Sequence, residues 1–323
     1  MRMPSRRKTT SPALLANQLT LRHDRRMTDT TDILCIGAAH WDVIGHSPRP
    51  FAPGDDLPGT IYRSPGGVAL NIARTLVRLG HRPALIAAIG QDAAGDALVS
   101  AIDAIGIDTR FLHRPAGLST DAYLAIEGAN GLIAAIAAST ALETLDLSCI
   151  APLIDGRLGA KGRPWHGSVV LDSGLSPAML QAMAQTPPMN GLQLCLSAAS
   201  PAKAGRLKAF LGRPDCSFYL NLAEAGQICD TTFSDSATAA QALLRLGAVR
   251  VLVTNGPHPA TDADATAILT RPPPTTFPQR VTGAGDEFMG VHISQEIHGT
   301  PRHIALMNAL NAAAAHVAHT LHS

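Results

Sequence analysis

The sequence is poor in aromatic residues, in charged residues and in metal-binding spacings. Phe, Tyr and Trp make up 4% of its 323 residues, which leaves few rings to stack on the bases of single-stranded nucleic acid. Charged residues make up 16% and the formal net charge is +1, so no strong field attracts nucleic acid or an anionic membrane. Neither HExxH nor CxxC occurs, and no apolar run reaches the roughly 20 residues of a membrane-spanning helix. These absences argue against nucleic-acid and membrane partners.

The cysteines and the N-terminal segment bear on where the protein resides. Five cysteines are scattered along the chain without pair spacing, which is typical of free thiols in a reducing cytoplasm. The first 31 residues are polar, and their apolar patch, PALLANQL, is too short for a signal peptide. A start codon placed too early, with Met27 as the true start, and an Arg-rich targeting peptide are alternatives. We expect a disordered extension over residues 1–31 and a single folded domain over residues 32–323.

Short apolar runs alternate with helical patterns from Asp32 onward. ILCIG and PALIAAIG are typical of buried strands. The stretch between them, GGVALNIARTLVRLG, predicts a helix with Val68, Ile72 and Leu76 on one face. Strand, helix and strand in this order predict a parallel sheet. The same alternation returns in the second half, with helices expected over Pro177–Gln185 and 237–246.

The apolar runs of the second half each end in a polar side chain. These residues are Asp172, Ser197, Asn221 and Thr254. Because open parallel sheets bind ligands at the carboxyl ends of their strands, the four side chains are candidates to line a cleft. The alternative is that any strand has to end in something polar.

Two segments, about 42–64 and 108–138, interrupt the pattern with short alternating runs. The second contains Asn130-Gly131, a strong hairpin signal. We expect these segments to form a small β-sheet lid over the cleft.

The stretch VTGAGDEF (Val281–Phe288) combines bare backbone with a carboxylate. Gly283, Ala284 and Gly285 are small enough to leave their N–H groups free, and such groups form an anion hole at a helix N-terminus. Asp286 then falls in the first turn. Two roles fit it: a base that takes a proton from a hydroxyl while the amides hold a phosphoryl group, or a carboxylate that only stabilises the helix dipole.

A second glycine-rich stretch, PGGVALN, precedes the first predicted helix. Gly66 and Gly67 allow a ligand to approach the backbone closely, and Asn71 in the first turn can hydrogen-bond sugar hydroxyls. An ordinary loop with a helix cap fits the same residues. The chain contains no GxxxxGK[ST], and GAAHWD after the first strand does not match GxGxxG, which argues against a Walker loop and a dinucleotide fold.

Taken together, these motifs resemble the ribokinase-like (PfkB) family of carbohydrate and nucleoside kinases, from Ile33 to about His319. PGGVALN matches the family's N-terminal signature, and TGAGDEF matches its highly specific C-terminal signature. NLAE (Asn221–Glu224) matches its N-x-x-E motif, and NAAAAHVA (Asn311–Ala318) looks like its adenine-pocket helix. The resemblance implies an α/β fold with a three-layer α/β/α core, a mostly parallel sheet and a small β-sheet lid. It also implies ATP and Mg²⁺ as cofactors.

The resemblance implies a role for each matching residue. Asp286 would deprotonate the acceptor hydroxyl, and the amides of residues 283–285 would form the anion hole. Asn221 and Glu224 would organise Mg²⁺ and phosphates through water, since Mg²⁺ keeps many waters. The implied substrate-binding residues are Asp42, Gly66, Gly67 and Asn71. The implied nucleotide-binding residues are Asn221, Glu224, Thr254, Gly256 and Asn311.

Within the family, several stretches resemble the pseudouridine kinases. They are GAAHWDVIG, the lid stretch TDAYLAIEGANGLIAAIA, SPAKAGRL, and Val281 where sugar kinases usually carry Thr. The implied reaction is transfer of phosphate from ATP to the 5′-hydroxyl of pseudouridine. The alternatives are a kinase of another nucleoside or free sugar, and a nucleoside-binding sensor that transfers slowly. Because lid strands of this family often pair across a dimer, the resemblance also favours a homodimer.

The chain departs from the family at several positions. Arg280 replaces an Asp or Asn that helps to bind a monovalent cation in many relatives, which argues against potassium activation. Ser173-Gly174 and Ser197 also replace common acidic or amide residues. TNGPHPAT matches the nucleotide loop only loosely.

Overall fold

The structure is a computed structural model that describes residues 31–160, 162–277 and 282–318. Its described strands form two sheets. In chain order the strands are β1 (Ile33–Ile36), β2 (His40–His46), β3 (Thr60–Gly66), β4 (Pro83–Ile86), β5 (Ala122–Gly128), β6 (Gly131–Ala138), β7 (Ser168–Asp172), β8 (Gln193–Ser197), β9 (Cys216–Asn221), β10 (Arg250–Asn255), β11 (His258–Asp264) and β12 (Ile268–Arg271).

The larger sheet has eight described strands in the order β12-β11-β10-β9-β8-β7-β1-β4. The six strands β10, β9, β8, β7, β1 and β4 run parallel to one another, whereas β11 pairs in antiparallel fashion with both β10 and β12. The parallel strands are nearly continuous apolar runs because both faces of the sheet are covered. The predicted α/β class with a mostly parallel sheet is confirmed.

Helices cover both faces of this sheet. They are α1 (Val68–Arg78), α2 (Ala93–Ile105), α3 (Pro177–Gln185), α4 (Pro201–Ala204), α5 (Leu222–Cys229), α6 (Ser236–Arg245), α7 (Ala284–Ile297) and α8 (Arg302–Ala318). Alternate residues of β1 enter two separate apolar cores: Leu34 belongs to the core that contains residues of α3, α5 and α6, whereas Cys35 belongs to the core that contains residues of α1, α2, α7 and α8. None of the described helices has the length and apolarity needed to cross a membrane.

The smaller sheet is the lid, with strand order β3-β2-β5-β6. The turn between β5 and β6 falls at residues 129–130, where the Asn-Gly signal predicts a hairpin. Every residue of β6 is exposed, including Leu132 and Ile136. The lid therefore has an apolar edge strand without cover in the described chain.

Two boundaries differ from those expected from sequence. Residues 108–121 were expected in the lid, but Asp108 and His113 pair by isolated bridges with Ala84 and Ala88 beside β4. Backbone hydrogen bonds to the core therefore decide the place of this segment. Thr31, expected in the extension, is buried, and its carbonyl accepts a hydrogen bond from Trp165 Nε1 at 3.0 Å. The rest of the expected extension, residues 1–30, lies outside the described residues.

A buried polar pair fixes the C-terminal half of α7 to the sheet. The Tyr219 hydroxyl on β9 lies 3.0 Å from His292 Nδ1 on α7, and both residues are buried. Burial lowers the pKa of His292 to about 3, so this imidazole is neutral near neutral pH. The pair sets the position of the helix that begins at Ala284.

Candidate active site

The carboxyl ends of four neighbouring strands bring polar side chains to one edge of the sheet. Asp172 is paired with Ser197 at the ends of β7 and β8, and Asn221 with Thr254 at the ends of β9 and β10. Three of these residues, Ser197, Asn221 and Thr254, line one cleft together with Gly285 and Asp286 of α7. The strand-end pattern therefore locates a cleft, as the sequence predicts.

The N-terminus of α7 is open to this cleft. Gly283 takes a left-handed conformation (φ 84°) as the residue before the helix, and its carbonyl accepts from Glu287 N at 2.9 Å. The first N–H groups of a helix have no intrahelical acceptor, and the helix dipole makes this end positive. Gly285 and Asp286 of the first turn both line the cleft. The geometry is that of an anion-binding site with a carboxylate beside it.

Asp286 lies close to other carboxyl groups of the site and is hydrogen-bonded to Asn71. Its Oδ2 accepts a hydrogen bond from Asn71 Nδ2 at 2.9 Å. The pKa of Asp286 is raised to about 7, chiefly because burial disfavours the charged form. The Asn71 hydrogen bond lowers the pKa, whereas the nearby carboxylates of Asp172, Glu224 and Asp42 raise it. Asp286 can therefore change its protonation state near neutral pH.

Glu224 and Asn221 form a capping box at the start of α5. Asn221 Oδ1 accepts from Glu224 N at 2.9 Å, and Glu224 Oε2 accepts from Asn221 N at 2.8 Å. Burial raises the pKa of Glu224 to about 7. Glu224 also lines the cleft beside Asn221.

Asp172, one of the four strand-end candidates, received no specific role from the sequence motifs. It is fully buried, and it accepts from Ala38 N at 2.8 Å and Gly174 N at 2.6 Å. Burial raises its pKa, while the nearby Lys203 ammonium lowers it. The signal that could have found Asp172 is its place at a strand end; nothing in the sequence shows that Lys203 lies near it.

The lid brings a second group of polar side chains to the site. Asp42 on β2 lies so close to Gly66 that a Cβ at position 66 would be 2.2 Å from Asp42 Oδ2. Gly67 has φ 103°, and a Cβ there would lie 2.4 Å from the carbonyl oxygen of Ala38. Both glycines are therefore required by close packing at this point.

His40 is a second residue that the sequence reasoning missed. Its Nδ1 lies 3.3 Å from Asp42 Oδ1, yet this buried nitrogen makes no hydrogen bond with the described residues. The imidazole also lies within electrostatic reach of Asp121 and Asp172, whose pKa values burial raises and a positive charge on His40 would lower. A histidine two residues before Asp42 on the same strand was the available signal.

The predicted nucleotide-binding residues are not all brought into one cleft. Thr254 lines the cleft beside Asn221. Gly256 lies in the turn between β10 and β11 (φ 53°), and Asn311 is exposed on α8. Neither of these two lines the cleft with Asp286. The predictions about Arg280 and Val281 concern positions outside the described residues.

The sequence matches the pfkB family carbohydrate kinase over residues 30–322. The chain belongs to the pfkB family. This confirms the resemblance carried by the two glycine-rich motifs.

Solved structures of pfkB-like kinases have the same fold. A carbohydrate kinase from Agrobacterium tumefaciens has a TM-score of 0.74 and 26% identity, with coverage of 90% of this chain and 92% of that chain. A ribokinase from Arabidopsis thaliana, solved with ribose and ATP, has a TM-score of 0.73 at 19% identity, with coverage of 89% and 93%. The ribokinase-like architecture is therefore confirmed.

Two curated relatives from Escherichia coli match over shorter stretches. The pseudouridine kinase is 33% identical over 100 residues, which is 31% of this chain and 32% of the relative. The uncharacterized sugar kinase YeiI is 28% identical over 187 residues, 57% of this chain and 49% of the relative. The chain thus spans about a third and about half of the lengths of these two proteins.

We predict that Asp286→Asn stabilises the protein more at pH 8 than at pH 5. The folded-state pKa of Asp286 is about 7, whereas that of an unfolded chain is near 4. Between these pH values the folded protein binds more protons than the unfolded chain, so the free energy of unfolding falls as the pH rises through this window. Asn does not ionise, so the increase in the free energy of unfolding that Asp286→Asn brings should be about 2 kcal/mol larger at pH 8 than at pH 5.

Urea unfolding at the two pH values measures this difference. Asp56→Asn, at an exposed aspartate, is the matched control and should show no pH-dependent gain. An equal effect of Asp286→Asn at both pH values would contradict the raised pKa.

Proposed function

We propose that the protein is an ATP-dependent kinase of the 5′-hydroxyl of pseudouridine or a similar nucleoside. The observation that carries the proposal is Asp286, a carboxyl group with a pKa of about 7 at the open N-terminus of α7. Membership of the pfkB family supports the kinase reaction. The partial match to a pseudouridine kinase supports the acceptor class.

In the proposed reaction Asp286 removes the proton from the acceptor hydroxyl. The resulting oxygen attacks the γ-phosphorus of ATP in line, the bond to the β-phosphate oxygen breaks, and ADP leaves. The amides of Gly283, Ala284 and Gly285 hold the charge on the transferring phosphoryl group. A base whose pKa is near 7 is well matched to proton abstraction at neutral pH.

The acceptor binds between the lid and α1 in this proposal. Asp42 accepts hydrogen bonds from the ribose hydroxyls, and Asn71 directs the Asp286 carboxylate towards the reacting hydroxyl. Gly66 and Gly67 bring bare backbone to the acceptor. Two contacts support this arrangement. Asn71 donates a hydrogen bond to Asp286. Asp42 lies against Gly66, and its charge raises the pKa of Asp286.

The residues present fit a magnesium ion that is held mainly through water. Glu224 is a buried carboxyl with a raised pKa, and a cation nearby would favour its charged form. Asn221 and Glu224 offer oxygen ligands of the kind Mg²⁺ takes, and the ion keeps several waters. When bound, Mg²⁺ neutralises phosphate charge. In the described residues no group of three His, Cys, Asp or Glu residues forms a metal site.

On the nucleotide side, Thr254, Gly256 and Asn311 are proposed to contact ATP. A cytoplasmic location follows from the proposal, because ATP is available there and all five cysteines, which are free, stay reduced. Potassium dependence is not expected.

A free sugar is the second candidate acceptor. It is favoured by the 26% identity to the Agrobacterium carbohydrate kinase over nearly the full length of both chains, whereas the pseudouridine kinase match covers only part of each. The reaction and the roles of Asp286 and the amides are the same for both acceptors.

An acceptor panel tests the proposed substrate class. We expect ADP release with pseudouridine to exceed that with uridine, ribose and fructose at least tenfold in kcat/KM, because the lid and Asp42 are proposed to read a nucleoside. The assay is run with Mg²⁺, with and without K⁺, and K⁺ should have little effect. Selective turnover of ribose would move the proposal to the free sugar. No turnover on any acceptor, together with tight nucleoside binding, would contradict kinase activity.

We also propose that the protein is a homodimer that pairs through its lids. β6 is an edge strand whose residues are all exposed, with Leu132 58% and Ile136 68% accessible. On β3, Ile61 is 81% accessible. An apolar edge strand with unpaired backbone groups is a ready surface for pairing with a second copy.

Sedimentation velocity tests the dimer. The wild-type protein should sediment at twice its chain mass of 33.7 kDa, and Ile136→Lys should shift it to the monomer by placing a charge in the apolar contact. Ile154→Lys is the control, because Ile154 is 53% accessible and lies outside the lid. A monomeric wild type, or an unchanged Ile136→Lys dimer, would exclude pairing through β6.

A further inference from the structure

The peptide that precedes the anion-binding turn is held by a histidine from another helix. His316 Nε2 on α8 lies 2.9 Å from the carbonyl oxygen of Thr282. Because a carbonyl can only accept, Nε2 carries the proton and donates. We propose that His316 is a positioning residue that fixes the orientation of the Thr282–Gly283 peptide for phosphate binding. This inference rests on the proposed kinase function.

The orientation of one peptide group decides where two polar groups point. The carbonyl of Thr282 and the N–H of Gly283 belong to one planar trans unit, so they point in opposite directions. A carbonyl held towards His316 on α8 therefore turns the Gly283 N–H away from α8. In the flipped orientation the carbonyl oxygen would take the place of that N–H and repel an incoming phosphate.

The backbone at this point does not fix the peptide by itself. Gly283 has φ 84°, and glycine reaches other conformations at little cost. The helix holds the next peptide, because Glu287 N donates to the Gly283 carbonyl at 2.9 Å. The Thr282 carbonyl lies outside the helix, and the described contact that restrains it is the one from His316.

The His316 ring lies so close to position 283 that it leaves room only for glycine there. A Cβ on residue 283 would lie 3.2 Å from His316 Nε2, closer than ordinary van der Waals contact. The ring also lines a cleft with Ala312, Ala315 and the ion pair between Arg78 and Glu287. His316 thus contacts, from α8, the peptide that precedes the turn whose amides are proposed to hold the phosphoryl group.

Three variants separate the hydrogen bond from the bulk of the ring. His316→Ala removes both, His316→Phe keeps a ring without the donor, and His316→Gln keeps an N–H donor. His303→Ala is the matched control, since His303 is an exposed histidine on the same helix. The readouts are kcat and KM for ATP, the affinity for the non-hydrolysable ATP analogue AMP-PNP by calorimetry, and urea unfolding.

We expect His316→Ala and His316→Phe to weaken binding of the non-hydrolysable ATP analogue AMP-PNP and lower kcat/KM for ATP about fivefold, the size of effect that one neutral hydrogen bond typically has. KM for the acceptor should not change. His316→Gln should return both values to within about twofold of wild type, and His303→Ala should match wild type. Stability is measured so that kinetic constants are compared for folded protein only.

Two results would overturn the inference. One is wild-type AMP-PNP affinity and ATP kinetics in His316→Phe. The other is a His316→Gln variant that is as impaired as His316→Ala at equal stability, since bulk and not donation would then matter. A wild-type protein without turnover would contradict the proposed function alone, because the AMP-PNP affinities would still test the role of His316.

Discussion

The hydrogen bond from Asn71 to Asp286 joins the two glycine-rich motifs across 215 positions of sequence. It depends on close packing of α1 against α7. A Cβ at Gly290 would lie 2.6 Å from a side-chain carbon of Thr75, and the Thr75 hydroxyl donates to Glu287 at 2.8 Å. Because these contacts fix the two helices, the carboxylate of Asp286 has one defined place beside the open helix end.

The site concentrates negative charge, and the fold maintains it at a cost in stability. Asp42, Asp172, Glu224 and Asp286 are near enough to influence one another, and the pKa values of the last three are raised by burial. A cluster of carboxyls whose pKa values are raised is poorly suited to stability alone, and it is well suited to a reaction that moves a proton and binds a cation with phosphates.

Local patterns account for much of what the sequence predicts. The apolar face of Ile72 and Leu76 gives the helix Val68–Arg78, and the polar residues that end β7 to β10 meet at one edge because parallel strands share a direction. The hairpin at Asn130-Gly131 follows from turn chemistry. These features depend on neighbouring residues, which a sequence displays directly.

Features made by distant residues were not predictable in this way. His40 and Asp172 come together from separate strands, and His316 meets Thr282 from the following helix. The segment 108–121 has the alternation of a lid strand, but its backbone pairs beside β4. Alternation shows that a segment is extended and does not show which sheet it joins. The missing information in each case is a contact in space.

The central claim is that Asp286 is the base of a phosphoryl transfer, and steady-state kinetics of Asp286→Asn test it most directly. With the best acceptor at saturation, kcat should fall by about 10²–10⁴, because a positioned base contributes this much. Calorimetry on the same variant should show ADP affinity close to wild type, since the amides and the residues of the cleft are unchanged. A kcat close to that of wild type, in a folded Asp286→Asn variant, would contradict the account.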